Sequence, residues 1–301
     1  TGGAYVEYDG GLEAALAETR RLLAADPPAP IYEATLEHEG VLVREDLLLP
    51  TDTGGWRIVE VKAATSLKDQ FLEDCAIQAW VHEGAGQPLE SIALAHVDRD
   101  WVYPGGGDYR GLFLVTDLTE RVRELQRSVP GWVARAREAV EGPTPETPVG
   151  HRCTTPYDCP FLHHCWPGRV ETPYPIQGLG GGRKRLGAWV AKGYRDVRDV
   201  PLLEIDSEQQ LRIRRVTAAG EPELLPDARR FVAQLGYPRY YLDFEAVGLP
   251  VPLWPGTRPY QALPFQWSCH VERAPGELEP RLEHRLEPRL ENRLEHREFL
   301  D

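Results

Sequence analysis

The chain of 301 residues contains no methionine. It also has no run of about eighteen apolar residues and no charged-then-apolar leader. The missing methionine leaves no visible initiator, so a fragment of a longer protein is expected. The other two absences exclude a membrane-spanning helix and a secretory signal, and a cytoplasmic location follows as the expectation. Basic residues are short as well: 34 Lys and Arg stand against 47 Asp and Glu, for a formal net charge of -13. That balance argues against broad electrostatic adhesion to nucleic acid. A carboxylate site that draws in metal cations, or a local basic patch such as Arg183, Lys184 and Arg185, can coexist with an acidic whole. Any nucleic-acid affinity should then be metal-dependent and salt-sensitive.

The length allows a sizeable core and favours two domains. Residues 11–25 carry apolar positions at helical spacing and stop before Pro27-Pro28. IYEATLEHEGVLVREDLLLP and WRIVEVKAA read as strands separated by the turn TDTGG. Ser66 and Asp69 make a capping-box pattern ahead of the helix LKDQFLEDCAIQAWVHE, which Gly84 should end. SIALAHV is a further strand, and residues 116–141 read as helical. This order predicts an α/β layer, a mixed sheet flanked by helices. IQGLGGGRKRLGAWVAKGYRDVRDVP reads as two short helices around a glycine turn, a linker. Near Pro226 a new unit starts with a helix, then the strands YYLDFEAV and PFQWSCHV. The repeat at 278–297, with Arg above Arg and Glu above Glu in any helix, reads as a solvated insertion.

The chemistry concentrates in the first hairpin. Glu60 and Lys62 lie two apart and share one strand face, and the Val61 carbonyl between them offers a backbone oxygen. A turn centred near residue 53 sets Asp46 opposite Glu60 within one residue of register. Asp46 and Glu60 then become candidate metal ligands, with Lys62 placed to orient water or to stabilise charge on phosphate. Gln78, on the next helix, is positioned to hold a phosphate or steady Lys62. Alternating charges on a strand usually mark only a solvent face. Here, however, Asp46 and Glu60 each interrupt an apolar run, where a core- or site-facing residue is expected.

REDLLL, then WRIVEVKAAT, then a helix carrying DCAIQAW resembles the RecB-family PD-(D/E)XK nucleases, including the CRISPR-associated RecB-like ones. The resemblance implies a restriction-endonuclease-like mixed sheet and an active site at Asp46, Glu60, Lys62 and Gln78. It also implies Mg2+ or Mn2+ as cofactor, held with help from Val61, and a nucleic-acid substrate, DNA ahead of RNA. The family's aromatic after the glutamine maps to Trp80 at a shifted spacing, and its upstream motif to Glu33 or His38.

Five cysteines is an odd number. Cys153, Cys159 and Cys165 are crowded together, which in a cytosolic chain favours metal over disulfide. The C-x5-C-x5-C pattern followed by Trp166 is similar to the cluster that closes the core of RecB-like proteins with an iron–sulfur centre. A 4Fe-4S cluster is thus the implied cofactor, with the fourth thiolate absent from this sequence and Cys75 a poor substitute inside its helix. Zinc, completed by His151, His163 or His164, is the alternative.

Asp243 and Glu245 lie two apart on YYLDFEAV, as a two-metal exonuclease needs for a pair of bridging carboxylates. This resembles the first motif of DnaQ-type DEDD exonucleases and implies the first strands of an RNase H-like domain, with both residues as metal ligands and catalytic groups. GTRPYQALPFQWSCH, together with the order of modules, looks like an uncharacterised bacterial family with two nuclease modules. The expected organisation is therefore a nuclease domain at 1–170, a helical linker at 171–225 and the start of an exonuclease domain at 226–301. The expected activity is metal-dependent phosphodiester hydrolysis. The rival is an inactive nucleic-acid-binding or scaffold protein with a structural metal cluster.

Overall fold

The computed structural model describes residues 2–153, 157, 159–165, 172–278 and 282–285. They fall into two compact units, one from residues 1–138 with 237–301 and one from 139–236. Among the described residues no helix is long and apolar enough to cross a membrane.

The first unit is α/β, as the alternation of periodicities predicts. Its main sheet has six strands in sequential order: β1 (Ala4–Tyr5), β2 (Ile31–His38), β3 (Val41–Pro50), β4 (Trp56–Lys62), β5 (Leu89–Val97) and β6 (Phe113–Asp117). The sheet is mixed: β1 pairs parallel with β2, β4 pairs parallel with β5, and the other neighbours are antiparallel. Helices α1 (Leu12–Leu23), α2 (Asp69–Gly84), α3 (Thr119–Gln126) and α4 (Val129–Glu141) flank it. A parallel pair needs a crossover, and α2 supplies it between β4 and β5. The buried core joins Ile31, Leu36, Leu48 and Ile58 of the sheet to Phe71, Leu72, Ala76 and Ala79 of α2.

Several local details depart from the sequence reading. Residues 31–50 are two strands, because Glu39 and Gly40 both take positive φ (47° and 72°) and reverse the chain in a two-residue turn. Residue 68, not Ser66, caps α2, without a side-chain hydrogen bond. The segment 116–141 opens with the end of β6, whose residues are all exposed, so no apolar alternation announces it.

A second sheet in the same unit has the order β10 (Leu282–Arg285), β8 (Leu263–Ala274), β7 (Arg239–Val247), with β9 (Glu277–Leu278) also on β8. Part of the charged repeat is therefore strand; the remainder of 278–297 lies outside the described residues. The intervening loop 248–262 reaches residues 98–111: Tyr103 N–H donates to the Thr257 carbonyl at 2.9 Å, and Gly256 N–H donates to the Tyr103 carbonyl at 2.8 Å.

The second unit carries α5 (Leu162–Cys165), α6 (Arg183–Ala191), α7 (Glu208–Ala219) and α8 (Pro226–Gln234). Its small core gathers Ile176, Leu179, Trp189, Val197, Val200 and Ile205. The glycine turn before α6 is present, with Gly180 and Gly181 at φ 69° and 99°. In the expected basic patch, Arg185 is paired with Asp206 and Lys184 is exposed, while the Arg183 side chain lies outside the described residues.

Candidate active site at the first hairpin

The turn 51–55 fixes the register that the site needs. Thr51 N–H donates to the Gly55 carbonyl at 2.9 Å, and Gly54 takes φ 88°. The ladder then runs from Pro50↔Trp56 to Leu47↔Val59. Continued by one step, it sets Asp46 opposite Glu60. Instead of a ladder bond at that step, Val61 N–H donates to Asp46 Oδ2 at 2.7 Å.

A kink in the neighbouring strand explains why Asp46 is available. Glu33 has φ 58°, rare for a residue with a side chain, and lies between the pairs Tyr32↔Leu47 and Ala34↔Glu45, where Asp46 would face it. Core-facing positions step from Ile31 to Ala34 in β2 and from Glu45 to Leu48 in β3. At that step Glu45 turns into the core and Asp46 turns to β4.

Glu60 is the centre of the cluster and is only 4% exposed. Lys62 Nζ donates to its Oε1 at 2.5 Å, and Gln78 Nε2 donates to its Oε2 at 2.7 Å. Lys62 is shared, since it also donates to Asp74 Oδ2 at 2.7 Å. Burial and the charge of Asp46 push the Glu60 carboxyl up to about 7, against the hydrogen bonds from Lys62 and Gln78 that favour its ionised form. Burial alone would pull the Lys62 ammonium down, but Asp74 and Glu60 outweigh it and hold the ammonium above its ordinary range. Cys75, packed behind the cluster, has its thiol raised to about 12 by burial and by the charges of Glu60 and Asp74. It is an inert core residue here.

The structure thus brings Asp46, Glu60, Lys62 and Gln78 together on one sheet and one helix. Asp74, the anchor of Lys62, was missed as a functional residue by sequence reasoning, although its spacing of four from Gln78 places both on one helix face. A second group escaped it entirely: Glu45 and His82 are fully buried, with His82 Nδ1 3.0 Å from Glu45 Oε1. Burial holds the Glu45 carboxyl above its ordinary range, against the opposing contact with His82. His82 follows Gln78 by one helical turn and so braces α2 against β3. Glu33 is ion-paired with Arg44 at 3.1 Å, and His38 meets Trp80 edge-on with ring centres 4.6 Å apart.

The donor set suits a hard divalent cation, because two carboxylates and the Val61 carbonyl are all oxygen ligands. Gln78 Oε1 is buried without a hydrogen-bond partner among the described residues, an orphaned acceptor at the same place. Cys159 N–H donates to the Cys153 carbonyl at 2.8 Å, which draws two of the three cysteines into one turn. Among the described residues no three His, Cys, Asp or Glu side chains converge to hold an ion, at the cysteines or at the hairpin, where two carboxylates and a backbone carbonyl are the candidate ligands. The side chains of His151 and His163 lie outside the described residues. Asp243 and Glu245 share one face of β7 as the spacing demands, but that strand is exposed along most of its length.

A family model described as a domain of unknown function, DUF2779, matches residues 240–301. No curated protein and no solved structure matches the chain.

Proposed function

We propose that the chain is a metal-dependent nuclease of RecB-like PD-(D/E)XK type that hydrolyses phosphodiester bonds of nucleic acid at the first hairpin, DNA ahead of RNA. The observation that carries this reading is the buried Glu60, with one carboxylate oxygen held by Lys62 and the other by Gln78, beside Asp46. Such an arrangement is costly for a purely structural role, since it buries a carboxylate next to another.

Asp46, Glu60 and the Val61 carbonyl would hold Mg2+ or Mn2+, which supplies a polarised phosphoryl oxygen and an acidified water. Lys62 remains charged and faces the position where negative charge grows on the phosphate. Asp74 fixes the direction of the Lys62 stem, and Gln78 keeps Glu60 turned toward the metal position. Val61 N–H holds the Asp46 carboxylate against β4.

The test is cleavage of labelled single-stranded DNA with Mn2+, comparing wild type with Glu60→Ala. Cutting that the substitution abolishes supports the hairpin site. Cutting that survives it removes the site from consideration. A 4Fe-4S cluster on Cys153, Cys159 and Cys165, with Zn2+ as the alternative, belongs to the same proposal and rests on spacing alone; iron, zinc and sulfide analysis of anaerobically purified protein decides it. The DnaQ-like role of Asp243 and Glu245 rests on their shared strand face, and a cytoplasmic location accompanies this reading.

A further inference from the structure

An open cleft of about 740 Å3 lies between residues 99–100 and 256–261 of the first unit. It is braced on both sides. Tyr103 exchanges backbone hydrogen bonds with Gly256 and Thr257, and the Tyr109 hydroxyl donates to the Pro252 carbonyl at 3.2 Å. At its end Tyr260 takes φ 57°, a left-handed backbone that a bulky residue adopts only under constraint. Its hydroxyl donates to the carbonyl of Ala63, the residue after Lys62. The cleft therefore opens directly beside the hairpin site.

Two exposed arginines line it, Arg99 and Arg258. Among the described residues neither guanidinium has a hydrogen-bond or ion-pair partner. In a chain of net charge -13, other exposed arginines of this unit, Arg121 and Arg135 among them, are also unmatched among the described residues; what sets Arg99 and Arg258 apart is that they share one cleft. Guanidinium forks match phosphate oxygens in geometry as well as in charge. Asp100 shares the cleft and limits its positive character.

We infer that Arg99 and Arg258 hold a backbone phosphate of the nucleic-acid strand next to the one at the hairpin site, with Tyr260 fixing their distance from Lys62. This rests on the nuclease reading for the substrate class, but it concerns binding and is measured without cleavage.

The experiment follows the anisotropy of a fluorescein-labelled 20-nucleotide single-stranded DNA in Ca2+ across a salt series. It compares wild type, Arg99→Ala/Arg258→Ala, and the charge-matched Arg121→Ala/Arg135→Ala on α3 and α4. The cleft variant should bind about tenfold more weakly and lose about 1.4 from the slope of log affinity against log salt, the loss of two single-strand phosphate contacts. The control should match wild type, and all three should share one thermal midpoint, since the four arginines are exposed. Equal affinities, an equal loss in the control, or no binding by wild type overturns the cleft. If wild type cuts with Mn2+ and the cleft variant has the same KM, the cleft falls and the nuclease reading stands. If wild type binds but does not cut while the cleft variant binds weakly, the nuclease reading falls and the cleft stands.

Discussion

Asp46 with Glu60 and Asp243 with Glu245 present the same chemical groups in opposite settings. The first pair sits across a ladder in the main sheet, beneath α2, with Glu60 4% exposed. The second lies along one strand of the other sheet, among Tyr240, Leu242 and Phe244 at 62%, 58% and 59% exposure. Burial raises the Glu60 carboxyl to about 7 and recruits Lys62 and Gln78 to hold it. At Asp243 the described contact is with its own strand, from Phe244 N–H at 3.1 Å. Two carboxylates at the right spacing are a motif; the desolvation that the rest of the fold imposes is what sets the first pair apart and favours it as the proposed site.

Substitutions on each side test that contrast. Glu60→Ala should reduce Mn2+-dependent cleavage by roughly a thousandfold, equal to about 4 kcal/mol of transition-state stabilisation. Asp243→Ala should leave hairpin cleavage within a factor of about two, measured on the same labelled strand; equal losses at both positions would give the second pair the DnaQ-like role and erase the distinction. Next in size is the buried brace: His82→Ala leaves Glu45 with no counter-group in the core and should cost about 3 kcal/mol in urea unfolding. Glu245→Ala, exposed, should stay within about 0.5 kcal/mol in the same experiment.

Between those two lies a pH effect. Glu60 has its carboxyl raised from an ordinary 4.5 to about 7, so the folded, metal-free protein binds a proton that the unfolded chain releases. The stability from that group is fully present below 4.5 and is lost as pH rises through about 7. Thermal midpoints without metal should therefore fall across this window in wild type and less in Glu60→Gln. Added Mn2+ should restore more stability at high pH than at low, because protons compete for the same oxygens. A metal-free midpoint that rises across the window would contradict the assigned burial.

Much of this contrast was legible in the sequence. Period-two alternation around Glu60 and Lys62, and charges interrupting the apolar runs, pointed to the hairpin where these side chains meet, and α2 was readable from its periodicity and its end at Gly84. The kink at Glu33 was not, because a left-handed φ at a glutamate has no local signature. For the same reason the burial of Glu45, adjacent to Asp46, could not be foreseen: simple alternation cannot describe a strand that changes its core face midway. The cleft escaped for a different reason. It joins residues 99–100 to 256–261, and contacts over such separations leave no periodic trace.

The first unit is discontinuous, since the 98 residues Ala139–Gly236 separate its two parts. During synthesis at a typical ribosomal rate, roughly 5 to 20 s pass while a segment of that length emerges. The hairpin with its carboxylates is complete well before Tyr260 exists to reach Ala63. For that interval the nascent chain carries its proposed metal ligands without the strap beside them, so the cleft assembles only after the hairpin is in place.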